Sequence, residues 1–83
     1  MTMLKLYTTA GCHLCEDAEA ILKYCQSFRA DISWQSIDIA DDELLVQQYG
    51  LRIPVIRSDK TGAELGWPFD PGQLMEFVDG GNF

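Results

Sequence analysis

The stretch Thr8 to Glu19, TTAGCHLCEDAE, sets Cys12 and Cys15 with only His13 and Leu14 between them. A Cys-x-x-Cys pair can be half of a metal site, a reversible dithiol/disulfide couple, or two thiols packed on a helix face. A closed zinc shell takes about four ligands, usually drawn from two such halves. The remaining candidates are His13 and Cys25, and Cys25 lies too far along a helix rising about 1.5 Å per residue to join the same shell. No metal site is therefore expected within one chain. An iron–sulfur cluster held between two protomers, each lending thiolates, stays open as an alternative.

The redox reading depends on where the pair sits. From Cys12 onward the apolar residues Leu14, Ala18, Ile21, Leu22 and Cys25 recur at helical spacings, so Cys12 stands at a helix start. Unpaired N–H groups and the positive end of the helix dipole stabilise a thiolate there. Such settings bring a cysteine pKa from about 8.5 down to between about 3.5 and 7.5. Cys15, one turn later and facing inward, is less exposed but close enough to shut a small disulfide ring. Cys12 is thus the expected attacking thiol and Cys15 the resolving thiol. Glu16, Asp17 and Glu19 crowd the same turn and oppose ionisation. His13 is the nearest group able to supply compensating charge or a proton, with an exposed spacer as the plainer alternative. Cys25 continues the apolar stripe and reads as core.

The elements that must hold this turn can be traced in order. Met3 to Tyr7 is a strand that ends in the turn-like TTAG, and the Cys12 helix follows. Glu19 and Lys23 on that helix form a favourable i,i+4 pair. Ile32 to Ile39 is a second strand whose alternation changes phase between Trp34 and Ile37, indicating a bulge or burial on both faces. Asp41 or Asp42 caps a short helix, ELLVQQY, which stops at Gly50 in the left-handed conformation that glycine favours. RIPVIR, turn SDKTG and AELGW make a hairpin. Asp70 then caps a last helix opened by Pro71, with Leu74, Phe77 and Val78 inward and Gly80 at its end. The order βαβ-α-ββα implies a mixed sheet with helices on both faces and a right-handed first crossover.

Composition narrows the function classes. Eighty-three residues with 47% apolar suit one small domain, here residues 1–83, with a single modest core. The net charge of −7 argues against nucleic acid and anionic membrane as partners. No run approaches the roughly 18 apolar residues of a membrane span, and the start is too short in apolar residues for a signal peptide. Three cysteines do not form the even framework of a secreted disulfide scaffold. A soluble, monomeric protein of the reducing cytoplasm is expected.

Pro54 is the second pointer to a site. Inside an apolar strand pattern proline removes a ladder donor, so it calls for an edge, a strand start or an unusual bond. Cys12-x-x-Cys15 after the first strand, Ile53-Pro54 opening the third, and the element order together resemble the thioredoxin fold, in its short glutaredoxin-like form. The chain is most similar to a glutaredoxin-like family of small bacterial proteins with a C-H-L-C turn, a Y-G-L-R-I-P-V box and a W-P-F-D box. Those boxes stand here at Cys12 to Cys15, Tyr49 to Val55 and Trp67 to Asp70.

The resemblance implies an α/β fold with a four-stranded sheet in the order second, first, third, fourth strand. It implies a disulfide oxidoreductase with Cys12 as nucleophile, Cys15 as resolving thiol and Pro54 as a cis-proline facing them. Ile53 would offer its backbone to an extended substrate, a form of strand addition. By its own chemistry Arg52 could pair with a glutathione carboxylate, with a plain exposed arginine as the alternative, and Trp67 and Phe69 either fill the core or wall the substrate groove. No bound cofactor is implied. The partners would be a disulfide-containing protein or small thiol and a cellular reductant. Two departures bear on glutathione. Thr8 to Gly11 occupies the place where glutaredoxins carry a Lys, and Gly66-Trp67-Pro68-Phe69-Asp70 replaces their Gly-Gly turn and acidic pair. Glutathione is therefore expected to be at best a weak co-substrate. An iron–sulfur carrier or a redox-inactive binding module on the same fold would be the alternative functions.

Overall fold

A computed structural model of the chain describes residues 2–79. Its elements are β1 (Thr2–Thr8), α1 (His13–Gln26), β2 (Ile32–Asp38), α2 (Glu43–Tyr49), β3 (Val55–Ser58), β4 (Glu64–Gly66) and α3 (Pro71–Asp79), with a 3-10 turn at Ile39–Asp41. The strands form one sheet in the order β2-β1-β3-β4. β1 pairs with β2 in parallel and with β3 antiparallel, and β3–β4 is an antiparallel hairpin. This is the mixed α/β sheet of the thioredoxin fold that the element order implies.

The two faces of the sheet follow from the two-residue period of its strands. Leu4 and Leu6 of β1 and Ile56 of β3 point to one side, where Ala18 and Leu22 of α1 and Leu74 of α3 bury against them. Each such leucine taken from water contributes about 1.5–3 kcal/mol, so this layer carries most of the hydrophobic stabilisation. Tyr7 and Val55 point to the other side, where Ile39 and Tyr49 close a smaller cluster. Cys25 is fully buried in the larger layer, and burial pushes its thiol pKa up. Its Sγ donates to the Pro71 carbonyl at 3.7 Å, joining α1 to the start of α3.

The phase change in β2 is burial on both faces. Its pairing with β1 runs without a bulge from Ile32 to Asp38. Ile32 and Trp34 belong to the larger layer and Ile37 to the smaller one.

The caps lie where polar side chains were expected to stop or start helices. Asp42, not Asp41, caps α2 by accepting from the Leu44 and Leu45 N–H groups, because Asp41 is taken into the 3-10 turn. Asp70 accepts from the Gln73 N–H at 2.7 Å while Gln73 accepts from the Asp70 N–H at 2.9 Å, a reciprocal capping box. Gly80, expected to end α3, lies outside the described residues.

Three expectations need correction. Gly50 is right-handed, at φ −54 and ψ −33. Its N–H donates to Val46 and α2 ends one residue earlier because the Arg52 and Ile53 N–H groups both turn back to the Tyr49 carbonyl. Glycine is needed there for space: a Cβ would stand 2.5 Å from the Val46 carbonyl oxygen. Leu14 is not in the core but 48% exposed, since the buried stripe of α1 runs through Cys15, Ala18, Leu22 and Cys25. RIPVIR contributes a strand only from Val55, with Pro54 immediately before it.

Candidate redox site

β1 ends at Thr8, and the chain reverses through Gly11, whose φ of +78° is open to glycine at no steric cost. Cys12 follows as the N-cap of α1 in extended conformation, and its Sγ accepts the Cys15 N–H at 3.2 Å. Its carbonyl accepts from Glu16, the first helical bond. A sulfur therefore takes the place that a Ser or Asp oxygen usually holds at a helix start. Cys12 and Cys15 form a disulfide with Cα atoms 5.2 Å apart. Cys12 is half-buried while Cys15, one turn on and facing the sheet, is only 4% exposed. The two sulfurs thus differ in access by geometry alone.

Charge around the pair is modest and mostly acidic. The His13 ring is almost fully exposed, with Nδ1 3.6 Å from Glu16 Oε2. Glu19 and Lys23 pair at 3.4 Å as their spacing implied. Among the described residues, no group of three or more His, Cys, Asp or Glu side chains is placed to hold a metal ion.

The ends of β3 and β4 lie at the same edge of the sheet as the Cys12 loop. Tyr7 pairs with Val55 and Val55 with Gly66, so Thr8, Pro54 and Trp67 stand side by side at the end of the sheet from which the Cys12 loop leaves. The Trp67 N–H donates to the Pro54 carbonyl at 3.2 Å. The Ile53–Pro54 bond is cis, as is Trp67–Pro68. Pro54 itself is buried. Trp67 lies partly buried against the larger layer with its ring edge-on to Phe69, centroids 5.1 Å apart. Ile53 packs partly buried on the smaller cluster, and its N–H is already bonded to the Tyr49 carbonyl at 2.9 Å.

Arg52 is already engaged by its neighbours. Its Nη2 donates to Glu64 Oε1 at 2.8 Å, and its guanidinium carbon sits 5.1 Å from the Tyr49 ring centre. Tyr49 stacks on Tyr7 with centroids 4.4 Å apart, and its hydroxyl donates to Glu64 Oε2. The Tyr49 hydroxyl, and then Arg52, hold the Glu64 carboxyl below the usual carboxylate range. The same bond, followed by burial, holds the Tyr49 phenol protonated above its ordinary range.

This cluster has a pH signature. A carboxyl with a folded pKa below its unfolded one stabilises the fold above the unfolded value, and the contribution is lost as pH falls through the folded one. Urea stability should therefore decline on acidification below about pH 4.3, the ordinary range of a glutamate. The decline should be shallower in Glu64→Gln. Equal slopes in the two proteins would show that the carboxylate contributes nothing to the fold.

Tyr7, Tyr49 and Glu64 are the site-adjacent residues that sequence reading missed. The available signal was period: Tyr7 and Val55 share a face, and Tyr49 closes a helix immediately before the Arg52-Ile53-Pro54 turn.

Comparison with known proteins gives a consistent result. The family described as Glutaredoxin-like domain (DUF836) matches residues 3–79. The crystal structure of target protein XcR50 from X. campestris is similar over 93% of this chain and 96% of its own, at 40% identity and TM-score 0.82. The solution structure of XcR50 gives 39% identity and TM-score 0.80, covering 96% of this chain and 95% of that one. Protein Ne2328 from Nitrosomonas europaea is 28% identical with TM-score 0.80, covering 93% of this chain and 91% of its own. No curated protein matches the chain.

Proposed function

The chain belongs to the Glutaredoxin-like domain (DUF836) family, and from that premise we propose that it is a cytoplasmic thiol–disulfide oxidoreductase working through Cys12 and Cys15. The observation that carries this reading is the Cys12 sulfur at the α1 N-cap, accepting the Cys15 N–H at 3.2 Å. The donor and the helix dipole that act on this sulfur favour its anionic form once the disulfide is reduced.

The exchange then runs in two steps. The Cys12 thiolate attacks one sulfur of a substrate disulfide, whose S–S bond breaks and releases a thiolate that takes up a proton. Cys12 is left in a mixed disulfide. The Cys15 thiol gives up its proton, attacks the Cys12 sulfur and expels the second substrate thiolate. Two electrons have passed to the substrate, and the protein holds the Cys12–Cys15 disulfide. A cellular dithiol donor returns those electrons. Buried Cys15 is protected from outside disulfides until Cys12 has engaged one. Ile53 would bind the substrate backbone through its carbonyl, beside Pro54 and Trp67, with His13 at the open rim.

The test is turnover. Purified protein with a disulfide-linked peptide and a limiting dithiol donor should release peptide thiol faster than the donor alone. It should do so as a monomer and without visible absorbance from an iron–sulfur cluster. A rate no higher than that of the donor alone would overturn the proposal.

A further inference from the structure

Two side chains from either end of one turn finish on a single carboxylate. Tyr49 is the last residue of α2, and its hydroxyl donates to Glu64 Oε2; Arg52, two residues before Pro54, donates from Nη2 to Glu64 Oε1 at 2.8 Å. The backbone closes the same turn from inside, because the Tyr49 carbonyl accepts the Arg52 N–H at 2.8 Å and the Ile53 N–H at 2.9 Å. The Gly50 N–H bonds back to the Val46 carbonyl at 2.8 Å and Arg52 Nη1 donates to the Gln48 carbonyl at 3.5 Å, so these other ties run back to α2, and the bonds to Glu64 are what link the turn to the β3–β4 hairpin. Gly50 has no side chain and Leu51 is fully exposed, so Arg52 ties down the outer side of the turn.

Glu64 is well placed for this. It lies on β4 in register with Arg57 of β3, two residues along from the Val55–Gly66 pair beside which Pro54 and Trp67 stand. Its position is therefore set by the hairpin, not by the turn that it holds. A carboxylate can accept two donors at once, one per oxygen, and charge-assisted bonds of this kind are directional.

We propose that Glu64 is a positioning residue of the redox site, whose two-armed carboxylate holds the Tyr49–Ile53 turn so that the Ile53 backbone meets a peptide disulfide in one fixed place. This rests on the oxidoreductase reading above. Glu64 touches neither sulfur nor substrate. Its loss should leave the reactivity of Cys12 intact and weaken only those substrates that carry a peptide backbone.

The experiment compares two disulfides that differ in this respect. Reduced protein is mixed with the symmetric disulfide of N-acetyl-Gly-Cys-Gly-amide or with bis(2-hydroxyethyl) disulfide, and the second-order rate is followed. Glu64→Ala should lower the rate with the peptide disulfide by about three- to tenfold, the size expected for weakening one ordinary hydrogen bond between the Ile53 backbone and the substrate, and that with the hydroxyethyl disulfide by less than about twofold. Tyr49→Phe keeps the stacked ring and removes one arm, so its loss should be smaller and confined to the peptide probe. Hydrogen exchange at the Ile53 amide should quicken in both variants while the Leu6 and Ile56 amides stay as they were.

An equal loss on both disulfides would mean that Glu64 serves the fold in general, and no loss on the peptide disulfide would mean that the turn holds without it. Either result overturns the proposal while leaving the oxidoreductase reading in place. A native protein inert to both disulfides overturns that reading, and the positioning role with it. If Glu64→Ala does not fold, Tyr49→Phe decides by the same comparison and the same amide.

Discussion

Cys12→Ser should reduce disulfide exchange to the uncatalysed background, whereas Cys15→Ser should keep the first step and accumulate a mixed disulfide. The two variants differ because the two sulfurs do. Cys12 is half-buried at the N-cap, where the Cys15 N–H points at its sulfur from 3.2 Å, and Cys15 is 4% exposed beneath it. A thiolate that is both reachable and stabilised attacks; one that is neither waits for the ring to close. Serine at position 12 could still cap the helix, so the loss would not come from unfolding. Alkylation of the reduced native protein near neutral pH provides the independent check. Cys12 should be modified far faster than Cys15, and Cys25 last, since it is fully buried with its thiol pKa raised by that burial. Modification of Cys25 first, or full exchange activity in Cys12→Ser, would refute the assignment of the nucleophile.

How much of this can be read in advance depends on the range of the interaction concerned. The apolar periods of β1 and α1 are local, and they place Cys12 at a strand-to-helix junction with no knowledge of the rest. The caps Asp42 and Asp70 are equally local, because each carboxylate bonds N–H groups within three residues of itself. Leu14 shows the first limit. Counting apolar residues put it on the inward stripe, but a helix turns about 100° per residue, and the sheet selects the line through Cys15, Ala18 and Leu22. Gly50 shows the second. Glycine after a helix usually answers a need for positive φ, and here it answers crowding by the Val46 carbonyl, which no local pattern reveals. Arg52 shows the third and widest. As an isolated side chain it is a free cation available to a ligand's carboxylate. Its partner Glu64 is twelve residues away on β4, and only the β3–β4 hairpin brings them together.

That last contact sharpens the expectation for glutathione, which should serve this protein at least about tenfold less well than a dithiol donor does. Glutathione has two carboxylates and one ammonium group and approaches as a net anion, toward a chain of net charge −7. Thr8, Thr9, Ala10 and Gly11 offer no cation ahead of Cys12, and Glu16 stands exposed on the first turn beyond it. His13, the nearest basic side chain, lies 3.6 Å from that same Glu16. Arg52, the cation of the turn before Pro54, is already bonded to Glu64 at 2.8 Å. To bind glutathione it must leave a paired carboxylate for a free one, an exchange with little net gain. Losing even one charge-assisted contact of about 1.5–3 kcal/mol weakens binding by an order of magnitude or more. Reduction of a glutathione mixed disulfide coupled to glutathione reductase, set against a thioredoxin-reductase-coupled assay at low and high salt, measures the difference. Added salt should narrow the gap by screening the repulsion. The dithiol route should remain the faster at both salt concentrations, because screening cannot supply the missing contacts. Glutathione-dependent turnover equal to the dithiol route at low salt would defeat the expectation and would mean that Arg52 exchanges Glu64 for the ligand.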